Sequence, residues 1–296
     1  SDQAETVLFR LLRGAGSAGL AGVRPMLTSQ IVRPLIELTR DDVMAYLNHH
    51  NHEYRFDSTN LDPRRARNRL RHDLLPQLQR DWNPNIITTL ANTAEWARAE
   101  EEEWDARLPA LAQSHLTFTD LGLSYQVDPV KSLSLAATRR LLRYAIKEVR
   151  GDLLGIDFAH VEALRQLGMA PKGTGVLHLP GLHAERSFGE IHIKPTRMNA
   201  TETKSYKVDV NGPGSFLGPW GRSALTLKLH HREITVPEQG YNGDWQGFLD
   251  WEKLPKPLSL RNWQAGDRYW PAGHAGVKKL KSLFQERQVA VWRRRG

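Results

Sequence analysis

The chain has 296 residues, 25% charged and 40% hydrophobic, a balance that suits a water-soluble fold with sizeable cores. No apolar run approaches the ~20 residues of a membrane span, the first residues lack the pattern of a secretory signal, and the absence of cysteine excludes disulfides and Cys-ligated zinc and fits the cytoplasm. The net charge of +8 is unevenly spread: residues 258–296 carry nine basic and two acidic side chains, whereas residues 81–195 carry 12 and 15. A basic module beside a near-neutral body points to a polyanionic partner, most simply nucleic acid, with a merely solubilising tail as the bland alternative.

The first element is a helix. Val7, Leu8, Leu11 and Leu12 form an apolar stripe in SDQAETVLFRLLRGAG, and Gly14 is a natural stop. A glycine-rich segment runs to Pro25, and Ile31 to Ile36 reads as extended. Thr39 then caps a helix through about His49, with Asp41 and Asp42 placed where the helix dipole favours carboxylates.

The stretch from Asp57 to Leu78 is the densest in information. An Asp-Ser-Thr-Asn turn leads into a helix for which Asp62 is the cap and Pro63 a first-turn residue. Arg64, Arg65, Arg67, Arg69 and Arg71 place five guanidiniums within eight residues, and Leu70, Leu74, Leu75 and Leu78 give the helix a buried face. Guanidiniums beside a buried face suit a polyanion, either ATP phosphates or an RNA backbone.

A boundary near Asp81–Pro84 opens a long helix over 84–111, with Ile87, Leu90, Ala94, Ala97, Trp104, Leu108 and Leu111 at helical steps, Glu101 in the missing slot and Pro109 limiting its end. Further helices are expected over Ser134 to Val149 and Asp157 to Leu167, the latter stopped by Gly168. Short strands follow at 176–179, 182–186 and 190–193. Residues 81–195 therefore read as a helical domain finished by a small sheet. Residues 196–257 are turn-rich with one strand at Leu225–Leu229, and 258–296 reads as strand, Gly-Asp turn and a helix over VKKLKSLFQERQV.

Three separated signatures resemble one family. Asp2–Gly22 (DQAETVLFRLLRGAGSAGLAG), the turn Asp57–Asn60 followed by Arg67–Arg71 (R-N-x-x-R) and Leu74–Pro76, and Arg261–Arg268 (R-x(5)-G-D-R) with Lys278–Lys281 occur in the order found in the tRNA(Ile)-lysidine synthetases, ATP-dependent enzymes of the PP-loop group. The resemblance implies an α/β remnant of a PP-loop (adenine nucleotide α hydrolase-like) catalytic domain over 1–80, a mainly helical tRNA-binding or substrate domain over 81–195, a linker and β-rich segment over 196–257, and the start of a small α+β basic tRNA-binding domain over 258–296. It implies the partners tRNA(Ile), L-lysine and ATP with Mg2+, and ligation of lysine to C2 of the wobble cytidine. The S-G-G-x-D-S phosphate loop of the family is not in this sequence, so the expectation is an incomplete chain, inactive alone.

By that resemblance Asp2 and Glu5, three apart at a helix start, hold the lysine amine. Arg67 and Arg71, four apart, clamp the triphosphate, and the four together form the catalytic set. Asn68 binds substrate or holds the 57–60 turn. Arg268, Lys278, Lys279 and Lys281 are expected on the tRNA backbone, with Lys278 and Lys281 on one helix face, and Arg10 and Arg13 read as a solvated surface or, functionally, as further tRNA contacts. From spacing alone, Asp2 and Glu5 also suit a purely structural role at the helix dipole, and Arg67 and Arg71 suit internal ion pairs. His49, His50 and His52 lack the frame of a metal site, Glu100–Glu103 read as a solvated face, and the glycines at 14–19 follow a helix, so a Rossmann loop fails. The alternatives are a tRNA-binding module without catalysis, another PP-loop tRNA-modifying enzyme such as a thiolase, and a homodimer built on the 84–111 helix.

Overall fold

The computed structural model describes residues 2–28, 31–55, 59, 62–119, 122–171, 173–196, 206–217, 224–229, 251–254, 256–270 and 276–294. The chain forms two compact units, 1–114 and 115–296. The N-terminal half of the long helix carries Leu90 and Ala94 into the same core as Ala4, Val7, Leu8, Leu70 and Leu75.

In the first unit, α1 (Asp2–Leu12) buries Ala4, Val7 and Leu8. Leu11 and Leu12, expected in the same stripe, are exposed, because the core reaches only the first two turns. The glycine-rich segment holds one helical turn, α2 (Ser17–Leu20). β1 (Met26–Thr28) pairs antiparallel with β2 (Ile31–Val32), so the extended segment is a hairpin arm shorter than expected. α3 (Arg40–His49) begins with a capping box in which Asp42 N–H donates to Thr39 Oγ1 and Thr39 N–H donates to Asp42. The arginine-rich helix starts at Ala66, later than expected: Asp62 Oδ1 accepts from Arg64 N–H and closes a local turn instead of capping a helix. It runs as α4 (Ala66–Arg69), a π turn over Leu70–Leu74 and α5 (Leu75–Asp81). Pro76 has no N–H to return to the carbonyl four residues back, and the wide turn closes through Leu75 N–H to Leu70 O. α6 (Ile86–His115) runs through Pro109, which stands on an exposed side of the helix. Glu101, which fills the missing slot of the apolar stripe, is buried, so the run 100–103 is not solvated throughout.

The second unit is built on a five-stranded antiparallel sheet in the order β3-β4-β7-β6-β5. Its strands are β3 (Leu116–Thr119), β4 (Gly122–Gln126), β5 (Thr174–Leu179), β6 (Leu182–Ser187) and β7 (Glu190–Pro195). The first two were not expected. The sheet thus has five strands where three were expected, and the helices are layered on it. Between the strands, α7 (Val127–Lys131) precedes α8 (Leu135–Arg150), capped by Ser134, and α9 (Phe158–Met169), capped by Asp157. They bury Leu141, Leu142, Ile146 and Leu164 together with Leu123, Leu182, Ile191 and Ile193 of the sheet. Gly168 does not stop α9. It lies against Ile191 and Tyr125, where the helix closes on the sheet. Short antiparallel pairs follow: β8 (Lys207–Val210) with β11 (Leu258–Arg261), β9 (Gly214–Leu217) with β10 (Ala224–Leu227), and β12 (Arg268–Tyr269) with β13 (Lys278–Lys279). α10 (Leu280–Glu286) then leads to residues 291–294, which lie on β6 and β7: Trp292 stacks on His192 and Arg293 pairs with Glu190. No described helix is long and apolar enough to cross a membrane.

Candidate functional site

The first turn of α1 meets α4 and the π turn through charge. Glu5 is only 3% exposed, and both its oxygens are bound by Arg71: Nε donates to Oε1 at 2.6 Å and Nη2 to Oε2 at 2.8 Å. Arg71 Nη2 also reaches Asp2 Oδ1 at 3.2 Å. Glu5 and Asp2 keep the Arg71 guanidinium more firmly protonated than usual, against the opposing effect of its burial. Arg67 stands beside this pair. Its Nη2 donates to Thr6 Oγ1 at 2.8 Å, and its Nε lies 3.9 Å from Glu5 Oε2. The four residues expected to form the catalytic set are therefore in one place, joined directly, with the carboxylates already engaged by guanidiniums. Thr6, next to Glu5 in α1, joins them as the acceptor for Arg67.

Asn68, buried between the two arginines in sequence, donates through its amide to Thr59 O and Asp62 O, both at 2.9 Å. It ties the preceding turn to the helix. Asp57, Ser58 and Asn60 of that turn lie outside the described residues. The other arginines of the cluster are spent differently. Arg64 pairs with Asp62. Arg69 lines an open groove of about 460 Å3 with Phe9, Leu12, Arg13, Asp73 and Leu74.

The glycine-rich segment is fastened to α1. Gln3 Nε2 donates to Val23 O at 2.7 Å and Val23 N–H returns a bond to Gln3 Oε1 at 2.8 Å. Arg10 Nη1 donates to Gly19 O at 3.1 Å and Gly22 O at 2.7 Å. Gly22 has φ +64°, and a Cβ there would collide with Gln3 Oε1, so the position needs glycine. Arg10, expected on the tRNA backbone, is thus a fastener of this loop, and Arg13 lies over the Phe9 ring at 5.1 Å.

In the C-terminal module, the R-x(5)-G-D-R signature is a turn staple. Arg261 holds Asp267 through two bonds of 2.8 and 2.7 Å, and Gln264 N–H adds a third at 2.9 Å. Those bonds, the Arg261 pair foremost, hold the Asp267 carboxyl down to about 2. Lys278 and Lys279 are on strand β13, where Lys279 faces Arg268, and only Lys281 is helical. The helix face expected to carry Lys278 and Lys281 does not form, because pairing with Tyr269 and Arg268 claims Lys278 and Lys279 for the strand. Among the described residues, no group of three or more His, Asp or Glu side chains is arranged to hold a metal. His49, His50 and His52 instead stack with one another and with Tyr46.

Three family models match in order: a PP-loop domain over residues 1–78, a TilS substrate binding domain over 126–192 and a TilS substrate C-terminal domain over 258–296. The chain is 46% identical over 298 residues to the tRNA(Ile)-lysidine synthase of Solibacter usitatus (strain Ellin6076), covering 99% of this chain and 66% of that protein. It is 34% identical over 291 residues to the tRNA(Ile)-lysidine synthase of Geobacter sulfurreducens (97% and 60%) and 32% identical over 307 residues to that of Symbiobacterium thermophilum (98% and 62%). The chain belongs to the tRNA(Ile)-lysidine synthetase family. It spans between 60% and 66% of the length of these three relatives. The family is one of PP-loop ligases that modify tRNA. The match over 1–78 contains the whole Asp2–Glu5–Arg67–Arg71 constellation, and the match over 258–296 contains the Arg261–Asp267 staple.

Proposed function

We propose that the chain serves the ATP-dependent ligation of L-lysine to C2 of the wobble cytidine, position 34, of tRNA(Ile), giving lysidine, AMP and pyrophosphate, in the cytoplasm. The observation that carries this reading is the direct meeting of two guanidiniums, Arg67 and Arg71, with two carboxylates, Asp2 and Glu5. The reaction brings together a triphosphate and a free amino acid. ATP first adenylates the C2 oxygen and releases pyrophosphate, and the ε-amine of lysine then displaces AMP. A site for both needs cationic forks for developing phosphate charge and anionic groups for the ammonium. Arg67 and Arg71 supply the first and the α1 carboxylates the second. Asn68 ties Thr59 and Asp62 to the helix that carries both arginines. The cytosine has to leave its stack to react, and Arg268, Lys278, Lys279 and Lys281 give the tRNA backbone a sequence-independent hold.

Mg2+ enters here as the counter-ion of the ATP phosphates. Asp2 and Glu5 are engaged by Arg71, and the described residues offer no other cluster for the ion, so no step is routed through it.

The test is a transplant. These residues replace the matching region of the Solibacter usitatus relative, and lysine incorporation into a tRNA(Ile) transcript is measured with pyrophosphate release. Folded chimera should support both, and Arg71→Ala in the chimera should abolish both. A folded chimera that binds ATP but never transfers lysine, beside an active parent, would refute the reading.

A further inference from the structure

The hairpin of β5 and β6 sets two histidines against each other. His178 and His183 are paired directly across the strands, one pair in from the Pro180–Gly181 turn. Side chains alternate along a strand, so the two stand on the opposite face of the sheet from the buried Leu182, Ile191 and Ile193. Their Nδ1 atoms are 3.2 Å apart, and the rings meet edge to face with centroids at 4.7 Å. We propose that this pair is a binding site for a divalent transition metal, zinc foremost, held between the two Nδ1 atoms and clipping β5 to β6.

Glu185 determines which nitrogen of His183 is free. His183 Nε2 lies 2.8 Å from Glu185 Oε1, and Lys194 Nζ donates to the same oxygen at 2.9 Å. That oxygen accepts both bonds. Nε2 therefore carries the proton, and Nδ1 of the neutral ring holds a lone pair directed at His178. A carboxylate on the far nitrogen is the usual support of a metal-binding histidine: it fixes the ring and makes the near nitrogen more basic. The side chains of His183, Glu185 and Lys194 are only 20–23% exposed, so this support is held in place, while His178 is open to solvent. Two nitrogens each ~2.05 Å from a tetrahedral ion stand about 3.3 Å apart, close to the separation here.

The chemistry selects the ion. Imidazole nitrogens suit zinc, copper and nickel, whereas magnesium takes oxygen ligands. An anion would need both rings protonated, with two imidazolium groups 3.2 Å apart beside Lys194; a metal needs only two lone pairs. With no metal, one proton on His178 Nδ1 fills the gap. The ion takes its place, and His178 keeps a proton on Nε2 instead. His192, opposite Glu185 on β7, is covered by Trp292 and stays out of the set. Two protein ligands leave water to complete the shell, which makes the site weaker than a four-ligand structural one.

The experiment titrates the metal-free full chain with zinc chloride by calorimetry, with thermal unfolding in parallel. One zinc ion should bind this hairpin more tightly than about 1 mM and raise Tm, chelator should reverse the rise, and magnesium should not reproduce it. His178→Gln, at an exposed position that spares the fold, should weaken this binding at least ~10-fold, because a two-nitrogen grip becomes a single contact. His183→Gln should do the same, and Glu185→Ala should weaken it roughly 10-fold without removing a ligand. His50→Gln should leave it intact, which separates the hairpin from the histidines near the end of α3. In long-range nitrogen spectra, zinc should shift the bare Nδ1 of His183 while its Nε2–H persists. Zinc uptake unchanged in both His178→Gln and His183→Gln, uptake lost only in His50→Gln, or no uptake by the wild-type chain would overturn the assignment.

Discussion

Replacing Arg186 tests how the second unit holds α9 on its sheet. Arg186 is 5% exposed and is surrounded by carbonyl oxygens. Its Nη1 donates to Leu167 O at 2.7 Å, Gly168 O at 3.1 Å and Ala170 O at 2.7 Å, and its Nε donates to Phe188 O at 3.1 Å. The first three lie at the C-terminal end of α9, where the partial negative charge of the helix and its unpaired carbonyls offset the buried cation. In Arg186→Met, the Gly168 carbonyl is left buried without this donor, at about 1–3 kcal/mol. The part-buried Leu167 and Ala170 carbonyls lose charged partners but regain some water, and part of the loss is returned because no guanidinium has to be desolvated. A net cost of about 3 kcal/mol follows, a fall in Tm of roughly 6–12 °C for a unit of this size. Arg186→Lys keeps the charge but not the fork, and should lose about half as much. Urea melts of the full chain, read by circular dichroism and by fluorescence, measure both. A methionine variant within about 1 kcal/mol of wild type, or a lysine variant as damaged as the methionine one, would refute the carbonyl-cage account.

Acid should act on the segment at 291–294. Burial pushes His192 below its ordinary value, with Lys194 and Arg293 acting the same way against Glu185 and Glu190, so the neutral ring under Trp292 stabilises the fold above the unfolded value and that stability is lost as pH falls below it; Trp292 fluorescence should change as pH falls below the ordinary histidine value of about 6.5, and His192→Phe should flatten the change. Asp267, held down to about 2 chiefly by Arg261, contributes stability that is present above the usual aspartate range and lost between about pH 4 and 2; Asp267→Asn should remove that acid step from melts of the full chain. Arg10→Met should free the loop end at Gly19 and Gly22 at a cost of about 1–2 kcal/mol, and proteolysis within residues 14–22 should accelerate; an unchanged cleavage rate would return Arg10 to the surface.

The parts of the fold legible in the sequence are those set by local chemistry. Thr39, Ser134 and Asp157 each accept a bond from the N–H three residues on, as their positions before apolar runs suggest. The α1 carboxylates and the R-N-x-x-R arginines were also legible as a set, through the family pattern rather than through spacing. What escaped reading depends on distant partners. β3 and β4 are too short to announce themselves and exist because β4 pairs with β7, some 70 residues on. Lys278 and Lys279 look helical until Arg268 and Tyr269 claim them as a strand. Arg10 looks like a surface cation because its two acceptor carbonyls belong to a loop whose path only Gly22 makes feasible. The bond from Arg67 to Thr6 was not legible because its two ends lie 61 residues apart in sequence.

Under the function proposed above, an ion pair inside a site for oppositely charged ligands has a thermodynamic consequence. With no ligand bound, Arg71 spans Glu5 and Asp2, so the cationic and anionic halves partly neutralise each other. Phosphate oxygens that draw the free edge of Arg71 away from Asp2 release that carboxylate for an ammonium, and an ammonium on Asp2 equally releases Arg71. Each ligand removes a competitor of the other, so ATP and lysine should bind with positive coupling, equal in either order. The bond at stake is one exposed contact of 3.2 Å, which limits the effect to about 1 kcal/mol, or roughly 3- to 5-fold in affinity. Titrating lysine with and without Mg·ATP, then the reverse, closes the cycle. The coupling should vanish in Asp2→Asn and weaken with added salt. Independent binding in the wild-type chain, or coupling that survives loss of Asp2, would mean that the Arg71–Asp2 contact is bystander geometry rather than part of how the two substrates meet.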